Sequence, residues 1–168
     1  GTRKFFSSGT QDCANKFAGS EGVFGTRTLH PLPDIEHSDF IMIIGENPAV
    51  SHMSFFSIPH PMRHLQDAEK RGAKVIYINP REIESAKSAG RVVKIKPDTD
   101  VYLLAALINE IDNTVGFDAA VYAHGEHVDE LRAFVRQYPV EKVARITGIG
   151  DDEIRSLAAS FATSPTAS

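Results

Sequence analysis

The sequence predicts an α/β fold: a Rossmann-like parallel sheet with helices on both faces and a helical C-terminal part. Three observations predict it. Short, continuous apolar runs recur without alternation, as in strands buried on both faces. Charged segments with apolar residues at helical spacing lie between and after them. Beyond Phe117 the strand-like runs cease and only helical patterns remain. At 168 residues, 42% of them apolar, the chain is long enough to bury one core. We divide it into an irregular lead-in segment, residues 1–33, and a Rossmann-like domain, residues 34–168.

The lead-in is rich in Gly, Ser and Thr and lacks a sustained period, which predicts loops and a short helix near residues 12–17. The run Asp39-Phe40-Ile41-Met42-Ile43-Ile44, stopped by Gly45, is the first buried strand. After a loop holding Pro48, Pro59 and Pro61, residues 62–71 carry Leu65 and Ala68 on one face among charges, and Gly72 stops them, which makes a crossover helix. Residues 74–78 form a second strand ending in Asn79-Pro80, and residues 92–95 a third, ending at Pro97. Asp98 or Thr99 then caps a helix whose Val101, Leu104, Ala105 and Ile108 recur at helical spacing as far as Asp112-Asn113. The order strand, helix, strand, link, strand, helix implies parallel crossovers. Three helical patterns follow at residues 128–137, 140–147 and 151–162. In the last, Asp151, Asp152 and Glu153 suit the positive end of the helix dipole, and Ile154, Leu157, Ala158 and Phe161 make one apolar stripe.

Composition excludes several classes. The net charge of −4, with both signs interspersed, gives no footprint for nucleic acid or an anionic membrane surface. The single cysteine, Cys13, cannot supply the thiolates of a zinc or iron–sulfur site. Its bland reading is a small buried hydrophobe and its sharp one a reactive thiolate. The longest apolar stretch, Phe40–Ile44, has five residues against the roughly 20 of a membrane helix, so no membrane insertion is expected and the chain reads as soluble. It begins without Met and stops just after a helical pattern, so both ends read as cuts from a longer chain and localisation stays open, with cytoplasm favoured over periplasm.

Ligands of open parallel sheets bind beyond the carboxyl ends of the strands. Three loops lie there: the one from Gly45 through Asn47 to Ser51 and His52, the Asn79-Pro80-Arg81-Glu82 turn, and Lys96-Pro97-Asp98-Thr99-Asp100. Their chemistry suits a nucleotide: backbone N–H groups and Ser51 for phosphate, Asn79 for ribose, and a carboxylate for the N1–H and N2 donors of guanine. Neither the glycine-rich dinucleotide fingerprint nor the P-loop is present. Against this, Asn-Pro and Lys-Pro-Asp are common turn chemistry, and Asp98 also reads as a simple cap. His60 and His64 have the spacing of paired zinc ligands, but Pro61 intervenes and no third ligand is evident, so they read as helix-surface residues. His124 and His127 read as solvated.

The joint order of these pieces resembles the molybdopterin oxidoreductases of the dimethyl sulfoxide reductase and formate dehydrogenase superfamily. Asp39 to Pro48 resembles that family's strand and Gly-x-Asn-Pro turn. Gly72-Ala73-Lys74 followed by Ile76-Tyr77-Ile78-Asn79-Pro80-Arg81 resembles its Gly-Ala-Lys strand with terminal Asp-Pro-Arg, and Lys96-Pro97-Asp98-Thr99-Asp100 its Pro-Gly-Thr-Asp helix start. Phe117-Asp118, the stretch from Val143 to Gly148 and that from Ile154 to Ala158 follow in order. The similarity covers residues 34–167. It implies a domain that holds the guanosine end of a molybdopterin guanine dinucleotide carrying molybdenum or tungsten. Gly45, Asn47, Ser51, Asn79, Arg81, Asp98 and Asp100 become the cofactor contacts. The iron–sulfur cluster then lies outside this chain, and the partners are the remaining domains of the same polypeptide and an electron-transfer subunit.

Two positions depart from the family: Asn79 replaces an Asp, keeping an acceptor and losing a charge, and Asp98 replaces a Gly, adding a side chain where backbone approaches ligand. The residue that ligates the metal in this family lies upstream of the first strand. Cys13 is the only thiol available, yet aligning Cys13-Ala14-Asn15-Lys16-Phe17 with formate-dehydrogenase-like patterns puts Phe17 at the ligand position, so the metal ligand stays open. The alternatives are a non-catalytic scaffold domain of the large iron–sulfur subunit of a respiratory NADH dehydrogenase, and the central domain of a thiamine-diphosphate enzyme.

Overall fold

The computed structural model describes residues 1, 3, 4, 6, 9, 13–53 and 58–168. They fall into two compact units, one within residues 1–33 and one comprising 34–53 and 58–168.

In the first unit, α1 spans Ala14–Phe24. It runs past the short helix expected near residues 12–17, of which Asp12 lies outside the described residues. Gly25, at φ 72°, ends it by donating its N–H to the Glu21 carbonyl. The buried Ser20 hydroxyl then holds the following turn through the carbonyls of Thr26 (2.7 Å) and Leu29 (2.6 Å).

The second unit is the α/β body. Its strands are β1 (Phe40–Ile44), β2 (Lys74–Asn79) and β3 (Arg91–Lys94), all parallel in the order β1-β2-β3. Met42 pairs with Ile76, Ile44 with Ile78, and Ile78 with Val93. Between β1 and β2 lie the single turn α2 (Pro48–Ser51), inside the stretch expected to be loop, and the crossover helix α3 (Pro61–Lys70). Only a 3₁₀ turn, Ser85–Lys87, links β2 to β3. One further pairing was not foreseen. Residues Thr166 to Ser168 run parallel beside β1, with Phe40 N–H donating to Thr166 O (3.2 Å), Ser168 N–H to Phe40 O (2.9 Å) and Met42 N–H to Ser168 O (2.8 Å).

Side-chain alternation puts Met42, Ile76, Ile78 and Val93 on one face of the sheet. There they meet α4 (Asp100–Thr114), α7 (Val140–Thr147) and α8 (Asp151–Thr163) through the fully buried Leu103, Ala106, Val143 and Ile154. Leu103, Val143 and Ile154 each contribute roughly 1.5–3 kcal/mol by leaving water, and the Ala106 methyl less. The opposite face packs β2 on α3, which buries Leu65 and Ala68. Tyr77 belongs to that face and is 0% exposed. Arg155 of α8 ties the helical layer to Glu141 of α7 and to Glu110 of α4.

Three expectations are corrected. The buried face of α4 is Leu103, Ala106 and Leu107 with Ala105, while Val101 is 62% and Leu104 40% exposed. With apolar residues nearly all round this helix, periodicity alone offers two stripes, and packing against α7 and α8 selects the other one. Neither Asp98 nor Thr99 caps α4 with its side chain: Thr99 holds the N-cap position, but its hydroxyl donates back to the Lys96 carbonyl at 2.6 Å. Beyond Phe117 there are four helices where three were expected. The additional one is α5 (Ala119–His124), capped by Asp118 and burying no residue, and it precedes α6 (Val128–Val135). Asp112 of α4 accepts both contacts of the Arg132 Nε–H of α6 at 3.0–3.1 Å, with the Asp112 side chain only 3% exposed.

Candidate functional site

Parallel strands bring three loops to one edge. After β1, Gly45 takes φ 70° and donates its N–H to Ile78 O, so the chain turns out of the sheet against β2. Asn47 follows, with Pro48 at the first position of α2, where a missing N–H costs nothing. After β2 comes Asn79-Pro80-Arg81, and after β3 the segment Ile95 to Asp100. Ile95 N–H donates to Asn79 O at 3.3 Å and Lys94 meets Glu82 at 3.1 Å, which sets the second and third loops side by side.

Asn47 joins the first loop to the second. Its Nδ2 donates to Glu84 Oε2, and its Oδ1 accepts from the Ser85 hydroxyl (2.7 Å) and N–H (3.3 Å). The Ser85 Oγ in turn accepts the Ala49 N–H at 2.9 Å, at the start of α2. Arg81 reaches the same Glu84 carboxylate at 3.3 Å. The Glu84 backbone N–H, the Asn47 amide and the Arg81 guanidinium together hold that carboxyl below the usual carboxylate range. Glu84 and Ser85 were missed in the sequence reading. They lie 37 and 38 residues from Asn47, and no motif or period marks them.

The expected contacts thus divide by their freedom. Asn47 is fully engaged between loops, and Ser51 donates to Glu46 at 2.7 Å. Asn79 is buried, and among the described residues its Oδ1 receives only the long 3.4 Å contact from Arg81 N–H. Asp98 and Asp100 have no side-chain partner among the described residues, and Asp100 occupies the first turn of α4. Asp98 has φ 63°, the left-handed region that a glycine enters freely and an L-residue enters at a cost. The backbone at Asp98 therefore has a glycine-like conformation and carries a carboxylate. Cys13 is buried just before α1 in the first unit.

The histidines take surface roles. His64 meets Glu36 at 3.2 Å, His127 meets Glu130 at 3.3 Å, and His60 and His124 are exposed helix-end residues. No group of three potential metal ligands occurs among the described residues, and no helix among them is long and apolar enough to cross a membrane.

A glycine turn, a buried amide and two open carboxylates at the carboxyl ends of parallel strands make the ligand edge of an open α/β sheet. Comparison with known proteins agrees with that class and narrows it. Residues 4–115 match the family described as Molybdopterin oxidoreductase. Formate dehydrogenase H of Escherichia coli (strain K12) is 33% identical over 132 residues, covering 78% of this chain and 18% of that protein. Acetylene hydratase of Syntrophotalea acetylenica is 32% identical over 157 residues, covering 93% of this chain and 20% of that protein. The solved acetylene hydratase from Pelobacter acetylenicus superimposes with a TM-score of 0.73 at 31% identity, over 93% of this chain and 21% of that one. The chain belongs to the molybdopterin oxidoreductase family and spans about a fifth of the length of these relatives.

Proposed function

We propose that this chain is the part of a molybdopterin-dependent, formate-dehydrogenase-like oxidoreductase that holds the guanosine end of a molybdopterin guanine dinucleotide, with redox chemistry belonging to the whole polypeptide. The observation that carries the reading is the pair of carboxylates, Asp98 and Asp100, without partners among the described residues at the start of α4, at the same sheet edge as the buried Asn79.

The donor set suits the group. A carboxylate accepts from the guanine N1–H and N2 amine together, which adenine cannot reciprocate. Asp100 is the first choice, because the helix start orients it. Asn79 retains an acceptor for a ribose hydroxyl, Arg81 supplies a guanidinium near the phosphates, and Gly45 lets the backbone turn close to them. Asn47 and Ser51 serve in this reading by fixing the first loop. The bound group would bring one pterin dithiolene toward a molybdenum or tungsten ion, which would supply the redox chemistry. This chain's residues orient the nucleotide. The residue that would ligate the metal stays open, and Cys13 is the one thiol this chain offers. The iron–sulfur cluster, the remaining domains of the polypeptide and an electron-transfer subunit lie beyond this chain.

The test is nucleotide discrimination. In ligand-detected NMR at millimolar nucleotide, guanosine diphosphate should bind and adenosine diphosphate should bind poorly. Losing a charge-assisted pair costs about 1.5–3 kcal/mol, so Asp100→Ala should weaken the guanine ligand roughly tenfold to a hundredfold. Equal binding of both nucleotides, or indifference to Asp100→Ala, would sink the assignment and favour a scaffold domain.

A further inference from the structure

The opposite edge of the sheet carries a pocket of about 430 Å³, at the small end of the range that holds organic ligands. Phe40, Lys74 and Arg91 line it, and these are the first residues of β1, β2 and β3. The pocket therefore opens at the amino ends of the strands, roughly 15 Å of strand away from the loops described above.

Its wall is apolar, made by Phe40, Val75 and Leu157, all buried. Its polar groups are unevenly committed. The Arg91 guanidinium is matched by Glu153 at 2.6 Å. Glu69 accepts the Gly90 N–H at 3.0 Å through Oε1, leaving Oε2 open. The Lys74 ammonium and the hydroxyls of Ser156 and Ser160 have no partner among the described residues. Ser156 is exposed, and neither hydroxyl turns back to the carbonyl four residues earlier, as a helix hydroxyl can. Thr114, Thr147 and Thr163 do so in this chain. Ser156 and Ser160 instead stand one turn apart on the pocket wall.

An unmatched ammonium, a half-used carboxylate and two open hydroxyls over an apolar wall complement a molecule that is neutral overall yet carries both charges. A plain anion would face Glu69, and a plain cation would face Lys74 and Arg91. We propose that this pocket binds a small zwitterion with an apolar body, the chemical class of a free apolar α-amino acid. Its carboxylate meets Lys74 and the Ser156 and Ser160 hydroxyls, its ammonium meets Glu69, and its side chain lies on Phe40 and Leu157. The inference is independent of the guanosine reading, which concerns the other edge.

Three probes of one shape test it by amide-detected NMR titration of this chain: leucine, 4-methylpentanoate, which lacks the ammonium, and 3-methylbutylamine, which lacks the carboxylate. Leucine should give saturable shifts at Lys74, Arg91 and Ser160, and each single-headed analogue should bind at least about tenfold more weakly. Lys74→Met keeps the apolar stem and the backbone ladder, so it should weaken leucine about tenfold while leaving Tm unchanged. Glu69→Gln, at an exposed position, should weaken leucine and spare 4-methylpentanoate. Absence of saturable shifts at tens of millimolar leucine overturns the proposal. So do equal affinities for the three probes, or leucine binding that survives both substitutions.

Discussion

Gly90 sits where β3 leaves the 3₁₀ turn, and replacing it by alanine separates two costs that usually arrive together. Its φ of +78° lies in the left-handed region, where an L-residue costs about 1–2 kcal/mol. A Cβ there would also stand 2.7 Å from the Val75 carbonyl oxygen of β2, 2.9 Å from Cε2 of the Tyr77 ring and 2.9 Å from Val75 Cγ1. None of these can swing away, since one is strand backbone and both side chains are buried. Overpacking of this kind adds about 1–3 kcal/mol. Gly116 provides the control, with φ +82° and nothing within 4 Å of the added Cβ. Both substitutions restrict the unfolded chain by the same amount, so that contribution cancels between them. In urea melts at matched m-value, Gly90→Ala should therefore lose about 1–3 kcal/mol more than Gly116→Ala. A difference under about 0.5 kcal/mol would mean that β2 and the Tyr77 ring yield easily, and the close-packing argument fails.

Other outcomes follow from the core and from the fragment reading. Ile76→Ala, in the central strand, should cost about 2–5 kcal/mol, and a loss under about 1 kcal/mol in denaturant melts would deny its burial. The Tyr77 hydroxyl is buried without a hydrogen-bond partner among the described residues, so Tyr77→Phe should raise stability by about 1 kcal/mol at neutral pH, and a measured loss would reveal a further partner. Burial, with a smaller push from the Glu69 charge, raises that phenol to about 12. The folded chain then keeps the proton that the unfolded chain releases near pH 10, so stability should fall as pH rises from 10 toward 12. Tyr77→Phe should remove that part of the alkaline loss, and an unchanged pH profile would refute it. Finally, purified chain loaded with metal should turn over neither formate, nitrate nor sulfoxide, and measured turnover would overturn the fragment reading.

What the sequence makes legible depends on how local its cause is. β1, β2 and β3 are legible because continuous β-branched runs between turn residues have few other ways to be buried. The crossover helix 61–70 appears within one residue of its expected bounds for the same reason: Leu65, Ala68 and Gly72 all lie inside one window. The buried face of α4 is not local. Val101 and Leu104 are as apolar as Leu103 and Leu107, and only α7 and α8 decide between the stripes. α5 escapes notice because it buries nothing and leaves no stripe to read. At the candidate site, Asn79 and Asp100 stand out through their motifs, whereas Glu84 and Ser85 matter only because the fold carries them to Asn47. The left-handed conformation at Asp98 is concealed because Asp also fits an ordinary cap.

The pairing of residues 166–168 with β1 bears on how the chain reaches its fold during synthesis. Asp39 N–H meets the Thr166 hydroxyl across 127 residues of sequence, so the segment that covers this side of β1 is synthesised long after the strand itself. Until then one whole flank of Phe40–Ile44, the most apolar run in the chain, is bare, and a bare apolar edge is a template for other chains. Closing so long a loop is also slow, which lengthens the exposure. Refolding yield should therefore fall with protein concentration. A gatekeeper such as Met42→Lys should restore it at the expense of stability, because Met42 packs against the core that the finished sheet needs.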